Sequence, residues 1–136
     1  MILRPVGDVG QFLTGGYEAF NEGDFATLEA MMVPDFVWNE ADEVPGRKLC
    51  ESREEFAEYM RGFDRLWNEF AFEALSFQEV GNDLVIAKVR GKGVGRASGA
   101  PVELIIHHVW RLREGKVARM DAFLDERAAR DHAGLP

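Results

Sequence analysis

Apolar and polar residues alternate with a period of two near the C-terminal end of the chain. Leu104, Ile106, His108, Trp110 and Leu112 share one face of a predicted strand, and Glu103, His107, Arg111 and Arg113 share the other. His108 therefore stands on an otherwise apolar face. Glu114-Gly115 predicts a tight turn into a second strand. There Ala118, Met120, Ala122 and Leu124 form the apolar face, and Asp121 looks outward with Arg119 and Phe123. Asp125 is placed to cap a short last helix and Gly134 to stop it.

The first third is patterned with helical spacing instead. Val9, Phe12, Leu13, Gly16 and Phe20 form a stripe with Tyr17 at its edge, and Asn21-Glu22-Gly23 ends that helix. Asp24 is placed to cap a second helix that buries Phe25, Leu28, Met31 and Met32, with Pro34-Asp35 as its stop. A short strand follows, with Phe36, Trp38 and Glu40 on one face. Residues 41–50 read as a loop broken at Pro45-Gly46. Ser52-Arg53-Glu54-Glu55 is a capping box, and its helix aligns Phe56, Tyr59, Met60, Phe63 and Trp67. Three or four strands fill residues 69–124. The one over 84–95 sets Lys88, Arg90 and Lys92 against Val85, Ala87, Val89, Gly91 and Gly93.

Helices first and hairpins after predict an α+β fold, an antiparallel or mixed sheet with the helices on its concave face. Such a cone encloses a cavity. Gly91 and Gly93 on the inner face leave space there that side chains would otherwise fill. There is no repeat, linker or low-complexity segment, so residues 1–136 read as a single domain.

Composition narrows the function classes. The net charge is -8, with 24 acidic against 16 basic residues, which disfavours nucleic acid as a partner. No apolar run is long enough to span a membrane, and MILRPVGDVG lacks the basic start and apolar stretch of a signal peptide. The single cysteine, Cys50, forms no internal disulfide and has no histidine beside it, so it reads as inert. A soluble, cytoplasmic protein is expected.

Glu40 is the sharpest candidate for chemistry. A carboxylate beside Phe36 and Trp38 in an apolar space has a raised pKa and can move protons near neutral pH. At a strand end it can equally turn to solvent beside Asp42 and Glu43. His108 either polarises a ligand carbonyl or takes a proton, or else is a core histidine bonded to a buried partner. His107 faces away, so the two histidines share no metal, and with His132 alone near the tail no metal site is expected. Tyr17, Trp38, Tyr59, Met60, Phe63 and Trp110 converge as core and pocket wall, and either phenol could bond a ligand carbonyl. Val89, Gly91, Ile106, Met120 and Ala122 complete that wall from the sheet. Glycines 91, 93 and 95 alternate along a strand and precede no helix, so they are no phosphate loop.

YEAFNEGDFATLEAMMVPDFVW at 17–38, GNDLVIAKVRGKG at 81–93 and HVWRLREGKVARMDAFLD at 108–125, with the tail RAARDHAGL, resemble the SnoaL-like branch of the nuclear transport factor 2-like superfamily. The resemblance implies the cone fold and a homodimer through the convex sheet face, with Val109 and Phe123 among Arg111, Arg113, Arg119 and Asp121. It also implies positions. The catalytic base of ketosteroid isomerase falls on Glu40 and its protonated aspartate on His108. Its tyrosine falls on Gly16, one residue from Tyr17. The Asp-Arg-Asp set of limonene-epoxide hydrolase would fall on Val89, Gly91 and Ala122, which cannot activate water, while that enzyme's water-holding tyrosine and asparagine match Trp38 and Glu40.

Two functions remain open. One is a cofactor-independent isomerase, cyclase or dehydratase acting on an apolar carbonyl compound, with Glu40 as base and His108 as donor. The other is a non-catalytic ligand-binding or dimerisation domain with a vestigial pocket. A transport adaptor is a third class, which no feature of the sequence supports.

Overall fold

A computed structural model of the chain describes residues 7–44 and 47–136, the side chain of Asp64 excepted. Pro45-Gly46 and the opening residues 1–6 lie outside the described residues. Helices α1 (Asp8–Glu22) and α2 (Phe25–Met31) lead into β1 (Met32–Asn39) and a two-residue β2 (Leu49–Cys50). Then come α3 (Arg53–Leu66), four long strands β3 (Trp67–Val80), β4 (Leu84–Gly95), β5 (Pro101–Arg113) and β6 (Lys116–Phe123), and α4 (Glu126–His132). The six strands form one sheet in the order β2-β1-β6-β5-β4-β3. Only the β1–β6 pair is parallel; the others are antiparallel.

Capping sets the helix limits. Gly23 takes φ 72° and returns its N–H to Ala19 and Phe20, ending α1. Asp24 accepts from Thr27 N at 3.2 Å, Ser52 from Glu55 N at 3.1 Å and Asp125 from Ala128 N at 3.3 Å, opening the other three. Helices α1, α2 and α3 cover one face of the sheet, and α4 lies on the other against β5 and β6. The main core, including Leu13, Phe36, Phe56, Val85, Val89 and Met120, fills the inner face; a smaller cluster of Leu84, Ile86, Val109 and Ala129 sits under α4.

Several boundaries differ from the sequence reading. β1 begins at Met32 and runs through Pro34, where its register with β6 is broken between Met32 and Val37, so the missing proline N–H leaves no gap in the ladder. Within the predicted loop, Leu49 and Cys50 pair with Asn39 and Trp38. Trp67 leaves the helical face and starts β3, because α3 passes into the strand without an intervening turn. On α1 the buried positions are Gly10, Leu13, Tyr17 and Ala19, so Tyr17 is central, not at the edge. Gly16 turns instead toward α2, where a Cβ would stand 3.0 Å from Met31 Cε.

Strand β3 is the long free edge of the sheet. Its pairing with β4 slips twice, between Asn68 and Ala71 and between Ala74 and Ser76, and Glu69 takes φ 54° at the first slip. Opposite Phe72, the Asn21 side chain donates to the backbone oxygen and accepts from the backbone nitrogen, both at 2.8 Å.

Candidate functional site

The β4–β5 register runs unbroken from Pro101 to Arg111, so His108 takes the inner face and His107 the outer. Across the sheet, His108 pairs with Ala87 on one side and Ala122 on the other. Because Asn39 is the partner of Asp121, Glu40 follows beside Ala122. The two candidate groups thus stand one strand apart, on either side of a small residue.

Two polar clusters occupy this face. In the first, Glu40 is 5% exposed. Its Oε2 accepts from Trp38 Nε1 at 3.0 Å and from the Tyr59 hydroxyl at 3.3 Å, and its Oε1 from Ala41 N at 3.2 Å. Arg47 bonds the Glu40 backbone oxygen, at 3.0 Å and 3.2 Å, not the carboxylate. Burial raises the carboxyl above its ordinary value; the three neutral donors and the Arg47 charge only partly offset it. Burial and the Glu40 charge raise the Tyr59 phenol as well.

In the second cluster the His108 side chain is fully buried. Tyr17 Oη lies 2.7 Å from His108 Nδ1 and accepts from Trp110 Nε1 at 2.9 Å. Burial, with the neighbouring His107, pushes the imidazole down to about 3, so His108 is neutral at physiological pH. The Trp110 indole can only donate. If the Tyr17 hydroxyl then donates to Nδ1, the Trp110 N–H, the Tyr17 hydroxyl and Nδ1 are all satisfied and the proton of His108 lies on Nε2. The other tautomer leaves the Tyr17 proton without an acceptor. Among the described residues Nε2 itself has no hydrogen-bond partner. A neutral donor fits this arrangement; a general base does not.

Trp38 joins the clusters, with its ring centroid 5.5 Å from that of His108 while its N–H serves Glu40. Tyr17, Trp38 and Trp110 also line an inner cavity of about 30 Å³. The rest of its wall is apolar, with Leu13, Phe20, Leu28, Phe56 and Phe72 prominent. The helical stripes signalled Leu13, Phe20, Leu28 and Phe56, whereas Phe72 comes from β3 and had no such signal. Neither Glu40 nor His108 lines that cavity, and neither do Met60, Phe63, Val89, Gly91, Ile106, Met120 and Ala122. Met60, Phe63, Val89, Ile106, Met120 and Ala122 are buried core residues. Gly91 and Gly93 leave no empty space. A Cβ at Gly91 would stand 3.4 Å from Phe70 Cζ, and one at Gly93 would stand 2.9 Å from Phe70 Cδ2. The two glycines admit an aromatic ring of β3, not a ligand.

Cys50 is buried, and burial pushes its thiol up to about 11, so it is no nucleophile at neutral pH. Among the described residues no group of three or more His, Cys, Asp or Glu could hold a metal ion, and no helix is long and apolar enough to cross a membrane.

On the outer face Asp121 is 3% exposed. It accepts from Arg119 through both oxygens (2.8 Å and 2.9 Å) and from Asn39 at 2.9 Å, with His132 Nε2 at 3.1 Å. Val109 and Phe123, expected at a dimer interface, pack with Ala129, Ala133 and Leu135 of the chain's own C-terminal segment. His107 does face away from His108, but it is buried.

A curved mixed sheet with three helices on its inner face and a polar pair inside defines a nuclear transport factor 2-like fold. A sequence model of the SnoaL-like domain matches residues 13–120, and the chain belongs to that family. A nuclear transport factor 2-like protein from Burkholderia thailandensis is 25% identical, with a TM-score of 0.76 over 93% of this chain and 96% of that one. IdmH, a candidate polyketide cyclase from Streptomyces antibioticus, is 20% identical, with a TM-score of 0.71 over 93% and 98%. A candidate polyketide cyclase from Xanthomonas campestris is 17% identical, with a TM-score of 0.66 over 90% and 94%. No curated protein matches the sequence.

Proposed function

We propose that this protein binds a small apolar organic molecule bearing a carbonyl group and acts on it by proton transfer, as a cyclase, isomerase or dehydratase without metal or cofactor. Glu40 is the base. His108 Nε2–H is the donor to the oxygen that gains charge, with Tyr17 and Trp110 fixing its tautomer. The observation that carries this reading is the buried Glu40 carboxylate, bonded only by neutral donors. A purely structural carboxylate is more cheaply satisfied by a cation, as Asp121 is. The candidate cyclases IdmH and the Xanthomonas protein, which share the fold, support the class of reaction.

Turnover of aromatic ketones or linear polyketone mimics tests it. Glu40→Gln should lower kcat about 100-fold or more, and His108→Phe should remove a donor worth roughly 3 kcal/mol. Binding of a neutral ligand should survive both changes better than turnover. Unchanged kcat in both variants would falsify these roles. A second reading, a ligand-binding domain without chemistry, draws on the small size of the inner cavity. It prevails if ligands raise the melting temperature while nothing is turned over. The proposal includes a cytoplasmic location and a homodimer through the outer sheet face that α4 leaves open, where Ile105 is exposed. A monomer by light scattering at tens of micromolar, on the order of ordinary working concentrations, would remove the dimer.

A further inference from the structure

The outer face of the sheet carries a second polar site, which the proposed reaction does not use. Strand register sets Ser76 of β3 opposite Lys88 of β4, and Lys88 opposite His107 of β5. Three donors thus stand in one row across three strands. Helix α4 lies over the row, and Ser76, Gln78, Lys88, His107, Glu126 and Arg130 line a pocket of about 60 Å³ between helix and sheet.

The inside of this pocket is unfinished. His107 is buried, yet its ring makes no hydrogen bond, and the Lys88 ammonium has neither a hydrogen bond nor an ion pair among the described residues. The Gln78 carbonyl oxygen accepts from Arg130 at 3.3 Å, which turns the amide N–H groups of Gln78 to other use. Among the lining residues Lys88 and Arg130 outnumber Glu126, with Asp125 close to His107 just outside the lining. Ser76, Gln78 and Lys88 are exposed, and neither the Lys88 ammonium nor the buried His107 ring has an acceptor among the described residues.

We propose that this pocket binds a tetrahedral oxyanion of the phosphate type, either the free ion or the head of a monoester. Lys88, Arg130 and His107 supply the charge, and Ser76 and Gln78 supply neutral donors. Five donor side chains converge from three strands and one helix, more than a carboxylate's two oxygens arrange well, whereas a phosphate presents three or four. The volume suits one small ion. The groups facing His107 give the site a pH dependence. Burial and Lys88 disfavour the imidazolium, Glu126 and Asp125 favour it, and a bound dianion would favour it further. Affinity should therefore rise as pH falls. Because Arg130 belongs to α4, a bound ion ties that helix to the sheet.

The test is an NMR titration of the whole chain with inorganic phosphate, inorganic sulfate and O-phosphoserine at constant ionic strength in sodium chloride. We expect saturable shifts at Lys88, His107 and Arg130 and an upward move of the His107 ring titration. Sulfate, which keeps its charge throughout, should bind more tightly at about pH 5.5 than at about pH 7.5. Lys88 is exposed, so Lys88→Ala should fold as the parent does and bind at least about tenfold more weakly. Preference for O-phosphoserine assigns the site to a monoester, and preference for inorganic phosphate to the free ion. The proposal is overturned if chloride alone reproduces the shifts, if Lys88→Ala binds like the parent, or if saturating anion leaves the His107 titration in place.

Discussion

Glu40 and Asp121 are two carboxylates at almost equal depth, 5% and 3% exposed, on the two faces of one sheet. Their protonation is pushed in opposite directions. Burial raises Glu40, and the indole, amide and phenol that bond it do not cancel that effect. Burial would raise Asp121 too, but bonds from Arg119 and Asn39 and the charges of Arg119 and His132 outweigh it and hold the carboxyl low. Depth alone therefore does not set the behaviour of a buried acid; the charge of its partners does. The outer carboxylate ties strand, loop and helix together. The inner one is held at a cost to the fold.

The largest expected effect is at Asp121. Asp121→Ala leaves Asn39, Arg119 and His132 without their common acceptor. Arg119 and His132 are half-exposed and recover part of the loss in water. Urea denaturation should show a destabilisation of about 2–3 kcal/mol. A loss below about 1 kcal/mol, the worth of an ordinary exposed pair, would break the contrast.

Next in size is the response to pH, where the two acids have opposite signs. Glu40 has a folded pKa above its unfolded value, so its burdened charge is relieved as pH falls toward that value. From about pH 7 to about pH 5 the parent should gain stability relative to Glu40→Gln. Asp121 has a folded pKa below its unfolded value. Its contribution is full above about pH 4 and fades below that as the folded carboxyl protonates, so Asp121→Asn and the parent should converge only there. Parallel curves for Glu40→Gln and the parent would show that Glu40 is not strained in the fold.

The smallest change sharpens the comparison. Arg47 touches both regions, donating to the Glu40 backbone oxygen and, at 2.7 Å, to Asn39 Oδ1. Arg47→Ala should cost about 0.5–1 kcal/mol. Its charge lowers Glu40, whereas Asp121 is held by Arg119. Carboxyl-carbon NMR should therefore show the Glu40 titration moving up and that of Asp121 staying in place.

The inner and outer faces of β5 and β6 were legible in the sequence, because a strand's period of two is strict and Leu104, Ile106, Trp110 and Leu112 fix the side of His108. The caps at Asp24, Ser52 and Asp125 were legible for a similar reason: a cap is a local bond. What the sequence hid depends on distant contacts. Tyr17 could not be centred on α1 until Gly16 was seen to face Met31. The space at Gly91 and Gly93 is filled by Phe70, whose direction follows from Trp67 starting a strand. β2 exists only through its pairing with β1, and His107 is buried only because α4 docks over it.

The side chain of Asn21 does more than tie α1 to the sheet. Its amide occupies the outward-facing backbone groups of Phe72 much as a neighbouring strand would. The slips at Asn68–Ala71 and Ala74–Ser76 break the straight run of the same edge on either side, and Glu69, Glu73 and Glu79 add like charges along it. A fourteen-residue free edge is an open template for another chain. Here a second molecule's strand meets a plug in the middle and a bend on each side. The fold thus carries its own guard against edge-to-edge polymerisation, and α1, which supplies the Tyr17 hydroxyl inside the sheet, also supplies that guard at its rim.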